Sequence, residues 1–127
     1  MRVLYALLLL ALTGCASMRP APVSPADYSQ FMAAEVEYFA GRFVPRGTAT
    51  VSITSDSVEF LDAVEQRMRA SGFAVSGSGE RYLSASTREV ADGVLLQVDL
   101  DGLRSHRWYV LDAGGWSPAS SWTRAMQ

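Results

Sequence analysis

The sequence predicts an α+β fold with an N-terminal helix, a strand-helix-strand unit and a mostly antiparallel C-terminal sheet. The first indication is an apolar pattern with helical spacing over residues 25–43. The second is an alternating, β-branched segment at residues 48–54, which a second helical pattern follows. The third is a series of alternating segments between glycine-containing turns over residues 77–127. Helices combined with a run of strands are typical of a sheet that helix covers on one face.

The chain begins with the parts of a secretory signal peptide. Arg2 supplies a positive charge, and residues 3–12 form an almost unbroken apolar run. This run is too short to span a bilayer, which requires about 20 apolar residues. Residues 12–15 (LTGC) resemble the lipobox of bacterial lipoproteins. The resemblance implies removal of residues 1–14, a diacylglycerol thioether on Cys15 and a fatty acid such as palmitate on the new N-terminus. The alternative is an ordinary signal peptide with an incidental cysteine.

The residues around the cut predict the location of the protein. Cys15 is the only cysteine, so no intramolecular disulfide can form in an oxidising compartment. In diderm bacteria an Asp after the lipidated cysteine tends to hold a lipoprotein in the inner membrane. Ala16 at that position favours the outer membrane, with the folded part facing the periplasm. The formal charge of −2, without a basic stripe, argues against a nucleic-acid partner.

A tether and a helix are predicted to follow. Residues 15–24 contain Pro20 and Pro22 and no apolar periodicity, so we expect a semi-rigid tether rather than a segment packed on the domain. Ser24 can cap a helix over residues 25–43 that ends near Gly41. Its apolar positions are Tyr28, Phe31, Met32, Val36, Phe39 and Phe43. The pattern favours a core role for this face, and leaves open whether the helix packs on the domain or docks on a partner.

The small domain itself is expected over residues 48–127. The segment 48–54 predicts a strand, and the serines and aspartate at 55–57 can cap a second helix. Gly72 is expected to end that helix, and residues 73–75 predict a short strand. A right-handed crossover would make the two strands parallel. The predicted apolar stripe of the second helix is Val58, Leu61, Val64 and Met68.

The rest of the chain is predicted to be strand and turn. Val94, Leu96, Val98 and Leu100 alternate, so one face of their strand is expected to be buried. The predicted strands are 82–90, 94–100, 107–111 and a last edge strand within 116–126, whose start Pro118 bends. The predicted turns are 91–93, 101–102 and 112–115, with a hairpin loop at 77–80.

Three short motifs in this order resemble the TrbH family of conjugal transfer lipoproteins. Residues 72–75 (GFAV) match a G-Y-A-V-like strand after the second helix. Residues 107–111 (RWYVL), followed by Gly114 and Gly115, are similar to a Y-R-x-x-L strand with a glycine turn. Residues 122–126 (WTRAM) are similar to a final S-R-A-Y-like segment, with Thr for Ser and Met for the aromatic residue. The resemblance implies an outer-membrane lipoprotein of a type IV secretion machine, which stabilises the core complex beside larger channel-forming subunits.

The sequence offers little that could carry out catalysis, so we expect no enzymatic activity, no metal and no cofactor. His106 is the only histidine, and a lone histidine without a partner base or thiol is most simply a surface or turn residue. Asp99 and Asp101 would share a face of a strand, where a solvated position is favoured over acid-base work or Ca²⁺ binding. No serine lies in a nucleophile-elbow motif.

Aromatic residues near the C-terminus are the candidates for a protein interface. Trp and Arg are enriched at such interfaces, although Trp also fills the cores of small domains. The candidates are Trp108, Tyr109, Trp116, Trp122 and Arg124. An edge strand in this region could also accept a strand from a partner.

Two functions are therefore expected, from different classes. The first is a lipid-anchored structural adaptor of a type IV secretion complex, which contacts larger channel subunits. The alternative is a free-standing, periplasm-facing lipoprotein that binds a small ligand or peptidoglycan. A concave pocket in a stable monomer would favour the second.

Overall fold

The computed structural model describes residues 25–125, with side chains described for residues 28–124. The predicted signal peptide, Cys15, the tether, Ser24 and Met126 lie outside the described residues. The elements are α1 (Pro25–Gly41), β1 (Thr50–Thr54), α2 (Val58–Ala70), β2 (Ala74–Val75), β3 (Arg81–Val90), β4 (Gly93–Leu100), β5 (Leu103–Asp112), β6 (Gly115–Pro118) and β7 (Thr123–Ala125). This arrangement confirms the predicted α+β fold.

The first helix, α1, ends at the predicted glycine and packs on the sheet. Beyond Gly41 the chain makes one further tight turn, in which the Val44 N–H donates to the Ala40 carbonyl at 2.8 Å. Pro45 then prevents the helix from continuing. The buried apolar side chains recur at helical spacing, as predicted, and include Tyr28, Met32, Val36 and Phe39.

The second helix, α2, has a defined cap at each end. The Ser57 hydroxyl accepts a hydrogen bond from the Phe60 N–H at 3.3 Å. At the other end, the Phe73 N–H donates to the Met68 carbonyl at 3.0 Å, and the Gly72 N–H donates to the Arg69 carbonyl at 3.1 Å. Gly72 has a φ of 94°, so these bonds form a Schellman motif that needs glycine at this position. The predicted end of α2 is therefore confirmed.

The predicted apolar stripe of α2 was partly wrong. Val58 was placed on the buried face, but its side chain is 77% exposed, whereas Phe60 is 2% exposed. The Ser57 cap fixes where the helix begins, so positions 60, 64 and 68 face the sheet and position 58 faces solvent. The larger aromatic side chain takes the buried position because it removes more apolar surface from water.

One mixed sheet holds all the strands, in the order β2-β1-β3-β4-β5-β6, with β7 pairing with β5 beside β6. Strand β1 is parallel to β2, which confirms the predicted strand-helix-strand unit, and it is also parallel to β3. Strands β3 to β6 are antiparallel neighbours, and the predicted inward face of β4 is buried. Both helices lie on this face of the sheet. The buried apolar residues of the strands are Val51, Ile53, Leu83, Ala85, Val94, Leu96, Val98, Leu100 and Tyr109.

The predicted hairpin loop at residues 77–80 was wrong. Strands β2 and β3 both pair with β1 in parallel, on its two sides, so the connecting segment must cross β1. The crossing is close: a Cβ on Gly79 would lie 2.5 Å from the Ser52 nitrogen, which is too near for any side chain. The Ser52 hydroxyl also donates to the Gly77 carbonyl at 3.4 Å across the same crossing. Gly79 therefore allows two backbones to pass each other.

The C-terminal strands also differ from their predicted bounds. Strand β5 begins at Leu103 rather than Arg107, because β4 pairs with it along its whole length. The single predicted edge strand is two short strands, β6 and β7, which pair with different parts of β5. Pro118 ends β6, since proline has no N–H to continue the ladder.

A substitution at the crossing should destabilise the domain. We expect Gly79→Ala to lower the free energy of unfolding by about 1–3 kcal/mol, since the new methyl group must push the β1 backbone away. Gly77→Ala is the matched control, because a Cβ there meets nothing within 4 Å. Urea denaturation of both variants gives the comparison. Equal stability of the two variants would contradict the proposed close crossing.

Candidate interaction surface

Strand β5 divides the candidate residues between the two faces of the sheet. Tyr109 and Arg107 point toward α1, and Tyr109 has no exposed surface. Trp108 points to the opposite face and is 36% exposed. Trp108 and its neighbours lie on different faces because successive side chains of a β-strand point to opposite sides of the sheet.

On the inward face, Tyr109 joins the sheet to α1. Its hydroxyl donates a hydrogen bond to the Glu35 carboxylate at 3.0 Å, and its ring meets Phe31 edge-on at 5.7 Å. Burial raises the pKa of Tyr109 above its ordinary value of 10.0, and the charge and hydrogen bond of Glu35 raise it further. Arg107 opposes this effect. The hydroxyl is therefore a neutral donor held between helix and sheet.

Arg107 is the second connection between β5 and α1. Its guanidinium lies 4.0 Å from the Glu35 carboxylate and over two aromatic rings, 5.7 Å from the centre of Tyr109 and 5.9 Å from the centre of Trp122. Its Nε donates to the Ser120 carbonyl at 2.9 Å, which holds the segment between β6 and β7 against β5. A guanidinium can make these contacts at the same time, because its planar face stacks on aromatic rings while the N–H groups at its edge donate hydrogen bonds.

The remaining inward candidates contact α1 or the residues that follow it. Trp116 meets Tyr28 edge-on, with ring centres 5.9 Å apart. Trp122 packs on Phe39 at 4.8 Å, and the Arg124 guanidinium lies 5.7 Å from the centre of Phe43. We call this set of contacts the aromatic seam. Its residues are Tyr28, Phe31, Glu35, Phe39, Phe43, Arg107, Tyr109, Trp116, Trp122 and Arg124.

Trp108 is the candidate that lies on the opposite face, which we call the open face because no helix among residues 25–125 covers it. It lines a shallow groove of about 300 Å³ together with residues of β3, β4 and the turn between them. The groove is lined by Arg88, Val90, Ala91, Leu95 and Trp108. Strand register explains the grouping, since Leu95 pairs with Arg88 on one side and with Trp108 on the other.

Gly93 shapes this groove. A Cβ at this position would collide with the Trp108 indole and with the Tyr109 carbonyl. The indole therefore lies across the glycine, where a side chain would otherwise stand. Gly93 therefore lets the Trp108 side chain, which lines the groove, approach the β4 backbone closely.

The rest of the open face is mainly polar. Its strands present Ser84, Ser86, Gln97 and His106, while the exposed Tyr82 lies at the far end from the groove. No group of three metal-ligating side chains occurs within the described part of the chain, and His106 is half-buried in β5.

The two candidate aspartates do not share a strand face, contrary to the expectation. Asp99 lies in β4 and accepts from the Gly102 N–H at 2.9 Å, whereas Asp101 lies in the following turn with a φ of 52°. Asp101 accepts from the Tyr82 N–H at 2.8 Å and pairs with Arg81. Burial raises the pKa of Asp101, but these hydrogen bonds and the Arg81 charge outweigh it and hold the pKa below 3.8. Both carboxylates stabilise the turn.

Glu35, Arg88, Gly93 and Leu95 were not among the candidates predicted from the sequence. Leu95 carried a usable signal, because it is an apolar residue on the polar face of an otherwise alternating strand. Gly93 was seen only as part of a turn. The role of Glu35 depends on a contact with a residue 74 positions away, which no local pattern reveals.

The structure thus defines a class: a small α+β protein with one sealed face and one open face that carries a localised apolar groove. A family model described as "Conjugal transfer protein TrbH" matches residues 13–126. The chain therefore belongs to the TrbH family of conjugal transfer proteins, and it is associated with conjugal transfer and type IV secretion. Searches of curated proteins and of solved structures gave no match.

The three motifs of the family resemblance lie at distinct places in the fold. The first covers the C-terminal cap of α2 and β2, the second lies in β5, and the third covers Trp122 and β7. The described helices include none that is long and apolar enough to cross a membrane.

Removal of the Tyr109 hydroxyl tests the aromatic seam. Tyr109→Phe should lower the free energy of unfolding by about 1–2 kcal/mol near neutral pH, since a hydrogen bond to a carboxylate is lost. Because folding raises the pKa of Tyr109, the wild type should also lose stability as the pH rises above 10.0. The Phe variant should lack that part of the alkaline loss.

Urea denaturation at about pH 8 and about pH 11 measures both effects, because the two values lie on either side of the ordinary tyrosine pKa. Tyr38→Phe is the matched control, since Tyr38 is 66% exposed on α1. The same alkaline loss in wild type and in Tyr109→Phe would contradict the role given to this hydroxyl.

Proposed function

We propose that this protein is a lipid-anchored, non-enzymatic adaptor of the conjugal transfer complex, which stabilises that complex at the outer membrane. The observation that carries the proposal is the family match, which begins at residue 13, close to the predicted lipidation site Cys15. The part of the chain shared with the family therefore includes the cysteine and the whole described domain. A diacylglycerol anchor on Cys15 and Ala16 after it support an outer-membrane location.

The direction of α1 supports anchoring at one end of the domain. Along α1, Tyr28 meets Trp116 of β6, and Phe39 meets Trp122 just before β7. The N-terminus of α1 therefore lies at the end of the sheet that bears the β3–β4 and β5–β6 turns. We call this the tether end. A lipid on Cys15 would hold this end nearest to the membrane, within the reach of the tether at residues 15–24.

The shallow shape of the grooves favours an adaptor over the alternative of a small-ligand binder. The groove on the open face has a volume of about 300 Å³, and a second one between α1 and α2 has about 230 Å³. Sites for small molecules usually enclose about 300–1,000 Å³ and bury most of the ligand. A shallow apolar groove on an otherwise polar face is better suited to side chains of a protein partner.

Two substitutions at the N-terminus test the anchoring. Cys15→Ser should abolish the incorporation of labelled palmitate, release the protein from the membrane fraction and lower the frequency of plasmid transfer. Ala16→Asp should keep the lipid but shift the protein to the inner membrane, and it should also lower transfer. Ser17→Ala is the control, because it changes neither the thiol nor the sorting position. Normal transfer by Cys15→Ser would contradict the proposal that the anchor is needed.

The adaptor role itself is tested by recovery from detergent-solubilised membranes of cells that carry the complete transfer system. The wild-type protein should bring down larger subunits of the complex in fixed ratio. Recovery as a monomer without them would favour the free-standing alternative.

A further inference from the structure

We infer that the groove on the open face binds an extended segment of a transfer-complex subunit, one that inserts an apolar side chain beside an acidic residue. This inference rests on the proposed adaptor function and names the surface and the chemistry of its partner. It follows from the apolar lining of the groove, from the charge at its rim and from its position within the sheet.

The apolar lining is concentrated at one place on a polar face. Val90 and Leu95 lie beside Trp108, and Val90 and Trp108 are 39% and 36% exposed. Along the same strands, the outward positions toward the other end are Ser84, Ser86, Gln97 and His106. A contiguous apolar cluster bounded by polar side chains is typical of an interaction site. Trp108, at one side of this cluster, is of a residue type that is enriched among the energetically dominant residues of interfaces.

Arg88 determines the charge of the partner. Its exposed side chain lines the groove opposite Trp108, with Leu95 between them. Among the residues that the structure describes, the arginines at 46, 69, 81, 104 and 107 each lie near a carboxylate, whereas those at 42, 67, 88 and 124 are in no ion pair. Of these four, Arg88 is the one that lines the groove. An unpaired guanidinium at the rim of an apolar groove is complementary to a carboxylate next to the inserted side chain.

The position of the groove determines how the partner binds. It lies over β4 and β5, which have hydrogen-bonded neighbours on both sides, and over the C-terminal part of β3. Among the described strands, residues 85–90 of β3 pair with β4 only, because β1 pairs with β3 at residues 81–84 and no further. An extended partner segment can therefore lie along this free edge of β3 and place an apolar side chain in the groove between Val90, Leu95 and Trp108. The groove is also close to the tether end, because Val90 and Gly93 flank the β3–β4 turn. The partner segment should therefore be one that reaches close to the outer membrane.

Site-specific photocrosslinking in cells with the complete transfer system identifies the occupant. We would replace Trp108 with p-benzoylphenylalanine and use the same replacement at Tyr82 as the matched control, since Tyr82 is exposed on the same face but distant from the groove. Position 108 should crosslink to a subunit of the transfer complex, at a peptide with an apolar residue next to Asp or Glu. The yield at position 82 should be at least about tenfold lower, since it lies outside the interface.

Several outcomes would overturn the inference. A crosslink to lipid, a crosslink to a second copy of this chain, or equal yields at the two positions would each exclude the proposed occupant. p-Benzoylphenylalanine in place of Val90 provides a second crosslinking position in the groove. This variant gives the test if the protein with the replacement at Trp108 does not accumulate. Membrane fractionation and palmitate labelling of each variant separate a failure of the groove from a failure of anchoring.

Charge reversal tests the acidic residue of the partner. Arg88→Glu should lower the transfer frequency and the crosslinking yield, and changing the crosslinked carboxylate of the partner to arginine should restore both. Arg42→Glu is the control, because Arg42 is exposed just beyond α1 and away from the groove. Trp108→Ala should weaken binding of the synthetic crosslinked peptide to the detergent-solubilised full chain by about 30-fold, as truncation of a central interface residue does. Unchanged binding by both groove variants would overturn the inference.

Discussion

The fold depends on the aromatic seam between α1 and the C-terminal strands. Glu35 and Tyr109 are 74 residues apart in the chain, yet their hydrogen bond joins the first helix to the middle of β5. Closing so long a loop costs conformational entropy, which a single hydrogen bond worth about 1 kcal/mol does not offset. The seam adds several aromatic contacts, each worth about 0.5–1.5 kcal/mol beyond the area that it buries. Together these contacts attach α1 to the domain and cover the short strands β6 and β7.

The seam also decides which surface remains for a partner. Trp116 and Trp122 are packed against α1, so their apolar rings are used within the domain. Trp108 does not pack against α1, because successive side chains of a strand point to opposite faces and its neighbour Tyr109 is the one that is buried under the helix. Since both helices cover one face of the sheet, the surfaces that remain for a partner are the open face, the edges and ends of the sheet, and the outer sides of the helices, where Tyr38 and Val58 are exposed. The longest free edge among the described strands is that of β3 at residues 85–90, where β1 no longer pairs with it.

The parts of the fold that local patterns control were predictable. The alternation of β4 and the glycine that ends α2 were visible in the sequence because each depends on neighbouring residues. The crossing at Gly79 was not, because it depends on β2 and β3 pairing with the same strand. The sequence also could not predict which tryptophans pack in the aromatic seam and which lies on the open face. Alternation along a strand separates its two faces but does not show which of them a helix covers. Of the candidate site, Trp108 was therefore named, but its groove with Arg88 was not.

In the proposed arrangement, the lipid anchor and the groove lie toward the same end of the domain. The ten residues of the proposed tether would span at most about 35 Å, since a fully extended chain advances about 3.3–3.6 Å per residue. A partner held in the groove would consequently remain close to the membrane surface. The domain would act as a short clamp at the outer membrane rather than as a spacer across the periplasm. In this arrangement, α1 would transmit the position of the anchor directly to the sheet, because the contacts of the aromatic seam join the two along the length of the helix.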